Sequence, residues 1–195
     1  LEVSAIPGLN SRDLDGTPLS ELLNRYGKAL MGTAIKGDFP LLLKLIDAKE
    51  QLSVQVHPHD DYAAKHEGKA GKTEAWVILH ALPGAELVYG IQEGVNRQML
   101  RRACEQGAAV EALLRRVPVQ AGDAFYIPAG MVHAIGAGIV LYEIQQSSDV
   151  TYRFYDWDRR DRHGNRRTLH LDQALDVTDP AMQLAPATPL PLPLD

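Results

Sequence analysis

The sequence is short of the residues that cross-link small proteins and of the runs that mark membrane segments. Of its 195 residues only Cys104 is a cysteine, which excludes a disulfide framework within the chain and a cysteine-rich zinc site. We expect Cys104 to be a small residue in a helix and at least half-buried. The low cysteine count also fits a protein of a reducing compartment. No apolar run approaches the roughly 18 residues that span a bilayer. The opening LEVSAIPGLN carries no signal-peptide pattern, so the composition predicts a soluble, cytoplasmic protein.

An excess of positive charge is also missing. The net charge is −5 and the pI is about 5.8, which argues against nucleic acid as a partner. One basic run, RRDRHGNRR at 159–167, lacks interleaved aromatic residues and is typical of a solvated connection. We therefore predict no nucleic-acid partner and no membrane partner, and the sequence leaves the oligomeric state open.

Short apolar segments separated by turn residues dominate the chain after Gly37. Among them are LLLKLIDA (41–48), EAWVILHA (74–81) and IVLYEIQQ (139–146). Many short strands at nearly regular spacing are typical of an all-β sandwich or barrel. The sequence therefore predicts a mainly β protein with a few peripheral helices.

Helical spacing is confined to a few stretches. Two helical insertions are predicted, at about 17–31 and about 96–116. Thr17 and Asn96 are suitable N-cap residues for them. The proline-rich tail at the end of 178–195 should be extended and poorly ordered.

The segment QLSVQVHP (51–58) is unusually polar for a strand. Side chains alternate between the two faces of a strand. Its two valines should therefore pack into a core, while Ser53, Gln55 and His57 form a row on the opposite face. The proline after His57 ends the ladder. We expect His59 and the two aspartates that follow it to be exposed at the start of a short helix.

Further polar side chains fall where separate strands could converge on this row. In GKTEAWVIL, Lys72 and Glu74 lie on one face of a strand, and in GDAFYIPAGMVH, His133 opens another strand. Imidazole nitrogens and carboxylate or amide oxygens are compatible with zinc, iron or nickel. The residues of this plausible mononuclear metal site are Gln55, His57, Glu74 and His133.

These segments resemble the motifs of a known family. GDAFYIPAGMVH, with Gly122, Pro128, Gly130 and His133, is similar to the second metal motif of the cupin superfamily, although the asparagine usual slightly later is missing. QVHP, GKTE and EIQQSSDVTYRFYDWDR resemble signatures of the type I phosphomannose isomerases, especially the short bacterial form. The resemblance extends over about residues 1–177 and implies a cupin-type β-barrel, or jelly roll.

The resemblance also implies an activity. It is that of a zinc-dependent aldose–ketose isomerase of carbohydrate metabolism, which interconverts mannose 6-phosphate and fructose 6-phosphate through an enediol. Residues 1–177 would be the catalytic cupin domain and 178–195 a proline-rich tail, without the family's second small cupin-like domain. The ligands of one zinc ion per chain would be Gln55, His57, Glu74 and His133.

The same resemblance assigns roles around the metal. Arg153, Glu143 and Lys72 would be catalytic, and Ser53, Lys72 and Arg153 would bind substrate. Moving a proton between C2 and C1 needs a base, a group that stabilises the oxyanion and a handle for the phosphate. Glu143 is the first choice for the base, with Lys72 or a metal-bound water as alternatives. Glu143 could instead hold Arg153 in place.

Two other functions are compatible with parts of this pattern. A non-catalytic sugar-phosphate-binding or sensor cupin would keep the pocket without turnover. An iron-dependent cupin oxygenase is disfavoured by the glutamine and glutamate among the ligands. Lys72 and Arg153 also count against it, since they suit an anionic substrate.

Overall fold

Strands make up most of the ordered elements in the computed structural model, which describes residues 1–6, 10–35 and 37–187. The strands are β1 (Glu2–Val3), β2 (Leu41–Ala48), β3 (Val54–Val56), β4 (Glu74–Ala81), β5 (Glu86–Ile91), β6 (Leu114–Pro118), β7 (Ala124–Ile127), β8 (His133–Ile135), β9 (Ile139–Gln146) and β10 (Tyr152–Tyr155). The helices are α1 (Leu19–Tyr26), α2 (Lys28–Met31), α3 (Asp60–Glu67), α4 (Arg97–Glu105) and α5 (Leu171–Val177). A 3₁₀ helix at Gly107–Leu113 follows α4.

The strands form two antiparallel sheets that pack face to face. One sheet has the order β1-β2-β9-β4-β7 and the other the order β10-β3-β8-β5-β6. An apolar cluster between them takes Trp76 and Leu141 from the first sheet and Leu87 and Ile135 from the second. Strands distant in sequence therefore become neighbours, and the predicted mainly β, barrel-like fold is confirmed.

A second apolar cluster covers the outer face of the sheet that contains β3. Val54 and Val56 are fully buried in it and share it with Leu100 of α4 and Leu175 of α5. The side chain between the two valines, Gln55, points to the other face, as the alternation in the sequence predicts. Sequence patterning did not identify α5, a helix of only 7 residues.

The first helical insertion begins later than predicted. Thr17 does not cap a helix: α1 starts at Leu19, and its N-cap position is held by Pro18 without a side-chain hydrogen bond. A proline at this position has no N–H to satisfy, and its carbonyl accepts from the amide of Leu22 at 3.1 Å. Gly27, with φ of 47°, separates α1 from α2.

The second insertion is only partly helical. Asn96 caps α4 as predicted, accepting a 3.0 Å hydrogen bond from the amide of Met99. The predicted helical insertion at about 96–116 is wrong in its last three residues, because Leu114 starts β6 and pairs with Ile91 of β5. Burial of Leu114 in the apolar cluster outweighs its helix propensity. Cys104 in α4 is half-buried, as expected.

Part of the tail is fastened to the barrel. Gln183 donates to the carbonyl of Ile91 at 2.8 Å, and the amide of Ala187 donates to the carbonyl of Ala124 at 2.8 Å. The tail therefore contacts the barrel up to Ala187, while 188–195, most of the proline-rich stretch, lie outside the described residues. Among the helices that the structure describes, none has the length and apolar character to cross a bilayer.

Candidate metal centre

Strands β3, β4 and β8 bring together the four side chains predicted to bind a metal. Gln55 in β3 lies directly opposite His133 in β8, His57 follows β3, and Glu74 is the first residue of β4. His57, Glu74 and His133 are buried, and one donor atom from each lies within 4.8 Å of the others. The site is therefore assembled from strands that are far apart in sequence, on the inner face of the barrel.

The His57 ring is fixed by a backbone carbonyl. Its Nδ1 lies 2.9 Å from the carbonyl oxygen of Val150, which can only accept. Nδ1 therefore carries the proton, and Nε2 carries the lone pair. Burial lowers the pKa of His57 well below its usual value, and the positive charge of Lys72 lowers it further. The imidazole is therefore held neutral, the form that binds a metal.

His133 is held in the same way. Its Nδ1 lies 2.8 Å from the carbonyl oxygen of Met131, and its Nε2 lies 3.3 Å from Oε1 of Glu74. Burial lowers the pKa of His133, although the negative charge of Glu74 opposes that shift. The indole of Trp76 meets the ring edge to face with centroids 5.5 Å apart. Both histidines thus turn Nε2 toward the same carboxylate.

Glu74 is a buried carboxylate without hydrogen bonds. It is 2% exposed, and neither of its oxygens has a hydrogen-bond partner of acceptable geometry. The ammonium of Lys72 lies 2.7 Å from Oε2 and 3.0 Å from Nε2 of His57. A buried carboxylate requires a compensating positive charge, and here Lys72 supplies it at close range. Glu74, with Oε2 paired to Lys72 and Oε1 next to His133, thus lies beside two neutral imidazoles, and this donor set fits a divalent cation.

Gln55 lies at the edge of this cluster. Its Nε2 is 3.3 Å from Nε2 of His133, so the amide donates to the histidine lone pair as it is placed. Coordination through its oxygen requires the amide to be turned over, a rotation about one side-chain bond. Its placement is compatible with the predicted ligand role.

Glu143 in β9 lies opposite Trp76 of β4 and does not hold Arg153. Its Oε1 accepts from Lys44 at 2.9 Å, and its Oε2 accepts from the indole of Trp76 at 2.9 Å. Burial alone would raise the pKa of Glu143, but the charges of Lys72 and Lys44 and these hydrogen bonds lower it overall. Among the described residues Glu143 is therefore an ionised carboxylate held by Lys44, and the sequence-based alternative that it orients Arg153 is wrong.

Arg153 lies opposite Gln55 in the ladder between β10 and β3. Its Nε donates to Oγ of Ser53 at 3.2 Å, and one terminal nitrogen donates to the carbonyl of Thr168 at 2.9 Å. Burial lowers the pKa of Arg153, but a guanidinium remains charged at any physiological pH. Ser53 and Arg153 thus form a polar pair on the same face as the metal cluster.

The structure adds interior polar groups that sequence reasoning missed. Lys44 donates to Glu143 and also to Oε1 of Gln145 at 2.6 Å, and Gln145 donates to the carbonyl of Ser148 at 2.6 Å. Alternation along LLLKLIDA places Lys44 on the same face as the buried Leu42. A single charged residue on the inward face of an apolar strand could therefore have identified Lys44 as part of the polar interior.

Comparisons with known proteins show which proteins this chain is similar to. A family model described as the catalytic domain of type I phosphomannose isomerase matches residues 5–75. The chain is 49% identical over 162 residues to a protein named mannose-6-phosphate isomerase from Streptococcus mutans. That alignment covers 83% of this chain and 50% of the relative, so the chain spans about half the length of this curated relative.

Solved structures resemble the fold. The crystal structure of mannose 6-phosphate isomerase from Bacillus subtilis superposes with a TM-score of 0.83 at 38% identity, covering 93% of this chain and 60% of that one. A mannose 6-phosphate isomerase bound with zinc and yttrium gives a TM-score of 0.71 at 16% identity, covering 100% of this chain and 72% of that one. The second likeness concerns the fold alone.

Proposed function

We propose that this chain, which belongs to the type I phosphomannose isomerase family, is a zinc-dependent aldose–ketose isomerase. It interconverts mannose 6-phosphate and fructose 6-phosphate through an enediol, and residues 1–177 act as its catalytic unit. The observation that carries the proposal is the buried pair of Glu74 oxygens without hydrogen bonds, facing the Nε2 atoms of two neutral histidines.

The donor set supports zinc as the metal. Zinc sites combine imidazole nitrogens with carboxylate oxygens, and catalytic zinc sites keep one position open. His57, Glu74 and His133 would hold the ion, with Gln55 as the fourth protein ligand once its amide oxygen turns inward. The bound ion would supply Lewis acidity to the sugar oxygens. Each Nδ1 donates to a backbone carbonyl, which fixes the tautomer and the orientation of the ring, as is usual for metal-binding histidines.

The groups beside the metal site suit proton transfer in an anionic sugar. Glu143 is ionised, so its carboxylate can take the proton that moves between C2 and C1, and Lys72 is the other candidate base. Arg153 and Ser53 can bind an oxyanion or the phosphate through the guanidinium fork and the hydroxyl. The site has an excess of one positive charge, from Lys44, Lys72 and Arg153 against Glu74 and Glu143. A divalent ion would raise this excess and so help to accommodate a phosphate dianion.

The test is a coupled assay for fructose 6-phosphate, with mannose 6-phosphate as substrate and the chain reconstituted with stoichiometric zinc. We expect turnover that disappears on chelation and returns with zinc. Arg153→Ala should retain zinc, measured by elemental analysis, and lose most turnover, because it removes an anion ligand but no metal ligand. Zinc retention without product in the unmutated chain would overturn the isomerase proposal, and mannose 6-phosphate binding in that case would favour the sensor function.

A further inference from the structure

The most positive segment of the chain lies next to Arg153. Residues 153–167 contain six arginines and three aspartates, a net charge of +3, whereas the whole chain is −5 and the remainder therefore −8. The basic run 159–167 within this segment has no role in the metal centre described above. We call 156–168 the arginine loop.

Both ends of the arginine loop are fastened to the site edge formed by Ser53 and Arg153. At its start, the indole of Trp157 donates to the carbonyl of Leu52 at 2.7 Å. Arg159 donates to the carbonyl of Gln51 at 2.8 Å. At its end, the carbonyl of Thr168 accepts the 2.9 Å hydrogen bond from Arg153. The loop therefore borders the substrate side of the proposed site.

The backbone at the start of the arginine loop is constrained. Trp157 and Asp158 have φ angles of 56° and 55°, in the left-handed region that non-glycine residues seldom occupy. Such conformations persist where surrounding contacts impose them, and they are frequent at functional sites. The contact of Trp157 with Leu52 is one such constraint, so the direction of the loop is set by its attachment to the site edge.

Two arginines of the loop keep their charge uncompensated. Asp156 binds both Arg159 and Arg167, and Arg166 pairs with an aspartate. In contrast, Arg160 donates to the carbonyl of Gly164 at 2.8 Å, and Arg162 donates to a neighbouring histidine ring at 3.1 Å. Within the part of the chain that the structure describes, neither forms an ion pair.

We propose that the arginine loop guides the phosphate dianion of the substrate to Arg153, with Arg160 and Arg162 supplying the attraction. The inference rests on the proposed function, since it assigns a role toward the same sugar phosphate. Charges at the rim of a polar cleft raise association rates by about 10- to 1,000-fold when their fields add. Burial is the main cause that lowers the pKa of Arg153; among charges of the loop, Arg167 lowers it, Asp156 raises it and Arg159 lowers it, so charged groups of the loop act on Arg153.

The kinetic test compares two double variants that each remove two positive charges. Arg160→Gln/Arg162→Gln changes the loop, and Arg25→Gln/Arg102→Gln changes exposed arginines on α1 and α4. We expect the loop variant to keep kcat and lose about three- to tenfold in kcat/KM at low ionic strength. The loss should shrink as salt screens the field beyond about 10 Å. The inference is overturned if the unmutated chain is active and the loop variant has the same kcat/KM and the same salt dependence as the control variant.

A binding measurement separates this inference from the proposed isomerase activity. Inorganic phosphate, in its dianionic form, is titrated calorimetrically into the zinc-loaded chain and both double variants. We expect the loop variant alone to weaken binding by about threefold or more. If the chain does not isomerise mannose 6-phosphate but shows this loss, the isomerase proposal fails and the guiding role stands. If the chain is inactive and either binds no phosphate or binds it equally well with and without the loop substitutions, the guiding role is overturned as well.

Discussion

Each of the two buried histidines presents a single lone pair to the candidate metal site. Replacing His57 or His133 with alanine removes one of the donors that the site offers to a metal ion, so each variant should lose zinc. Elemental analysis of the folded, gel-filtered protein measures this loss. His80→Ala is the matched control, because His80 is an exposed histidine in β4. Full zinc retention in His57→Ala or His133→Ala would contradict the ligand assignment.

Lys44 controls the protonation of Glu143. Its charge and hydrogen bond help to keep the pKa of Glu143 low although burial acts to raise it. In Lys44→Met that pKa should rise. A base must be ionised to accept a proton, so the acidic limb of the pH profile of kcat/KM should move to higher pH.

Lys49→Met is the control for this change, since Lys49 is exposed just beyond β2. It should leave the pH profile where it is. If the acidic limb does not shift in Lys44→Met, then either Glu143 is not the base or Lys44 does not lower its pKa.

At the scale of single residues, the sequence indicated which side chains share the inner face of the barrel, but not which hydrogen-bond partner each of them has. Alternation identified the row of Ser53, Gln55 and His57, because strand geometry fixes the face of every second side chain. The predicted partner of Glu143, Arg153, was wrong. The actual partner depends on the register between β2 and β9, in which Lys44 lies opposite Glu143. Register between distant strands is set by the whole sheet and is not written in any local pattern.

Among the connecting elements, the arginine loop contains one buried carboxylate, Asp156. Asp156 accepts two hydrogen bonds from Arg167, at 2.6 and 2.5 Å, and also binds Arg159. Burial would raise the pKa of Asp156, but the arginine hydrogen bonds lower it below 3.8, the value of a free aspartate. A lowered folded-state pKa stabilises the fold above the unfolded pKa, and the effect is lost as pH falls through the folded pKa.

We expect Asp156→Asn to lower the free energy of unfolding by about 1–2 kcal/mol near neutral pH. The difference from the unmutated protein should vanish in acid, below the folded-state pKa. Urea denaturation followed by circular dichroism at several pH values measures both effects. Asp158→Asn is the matched control, with an exposed ion pair whose loss should cost less than about 0.5 kcal/mol. Equal losses in both variants would contradict the role of Asp156.

The predicted elements differ in accuracy for physical reasons. The limits of β2 and β4 and the start of α3 agree with the sequence pattern, because turn residues and prolines bound them locally. The error at 114–116, the end of the second predicted insertion, arose where a helical pattern is overridden by pairing of Leu114 with β5. Short elements such as α5 carry too few residues for a period to show, and their stability comes from packing, here against β10 and α4.

For the molecule as a whole, a metal that bridges β3, β4 and β8 should raise global stability. Zinc at about 100 times its Kd should stabilise the fold by about 2.7 kcal/mol, which corresponds to a rise in Tm of about 5–10 °C for a chain of this length. Differential scanning calorimetry with and without a chelator measures the shift. The Tm of His133→Ala should not respond to zinc. A shift of equal size in that variant would place the stabilising ion elsewhere.

The positions of the two tryptophans have a practical consequence. The chain contains only two: Trp76 contacts both His133 and Glu143, and Trp157 anchors the arginine loop beside Ser53. Its indole emission therefore arises wholly from the candidate metal centre and its rim, so the unlabelled protein contains its own optical reporter. Zinc uptake should alter the Trp76 component, and phosphate capture the Trp157 component, so single-tryptophan variants with phenylalanine at the other position can follow the two events separately.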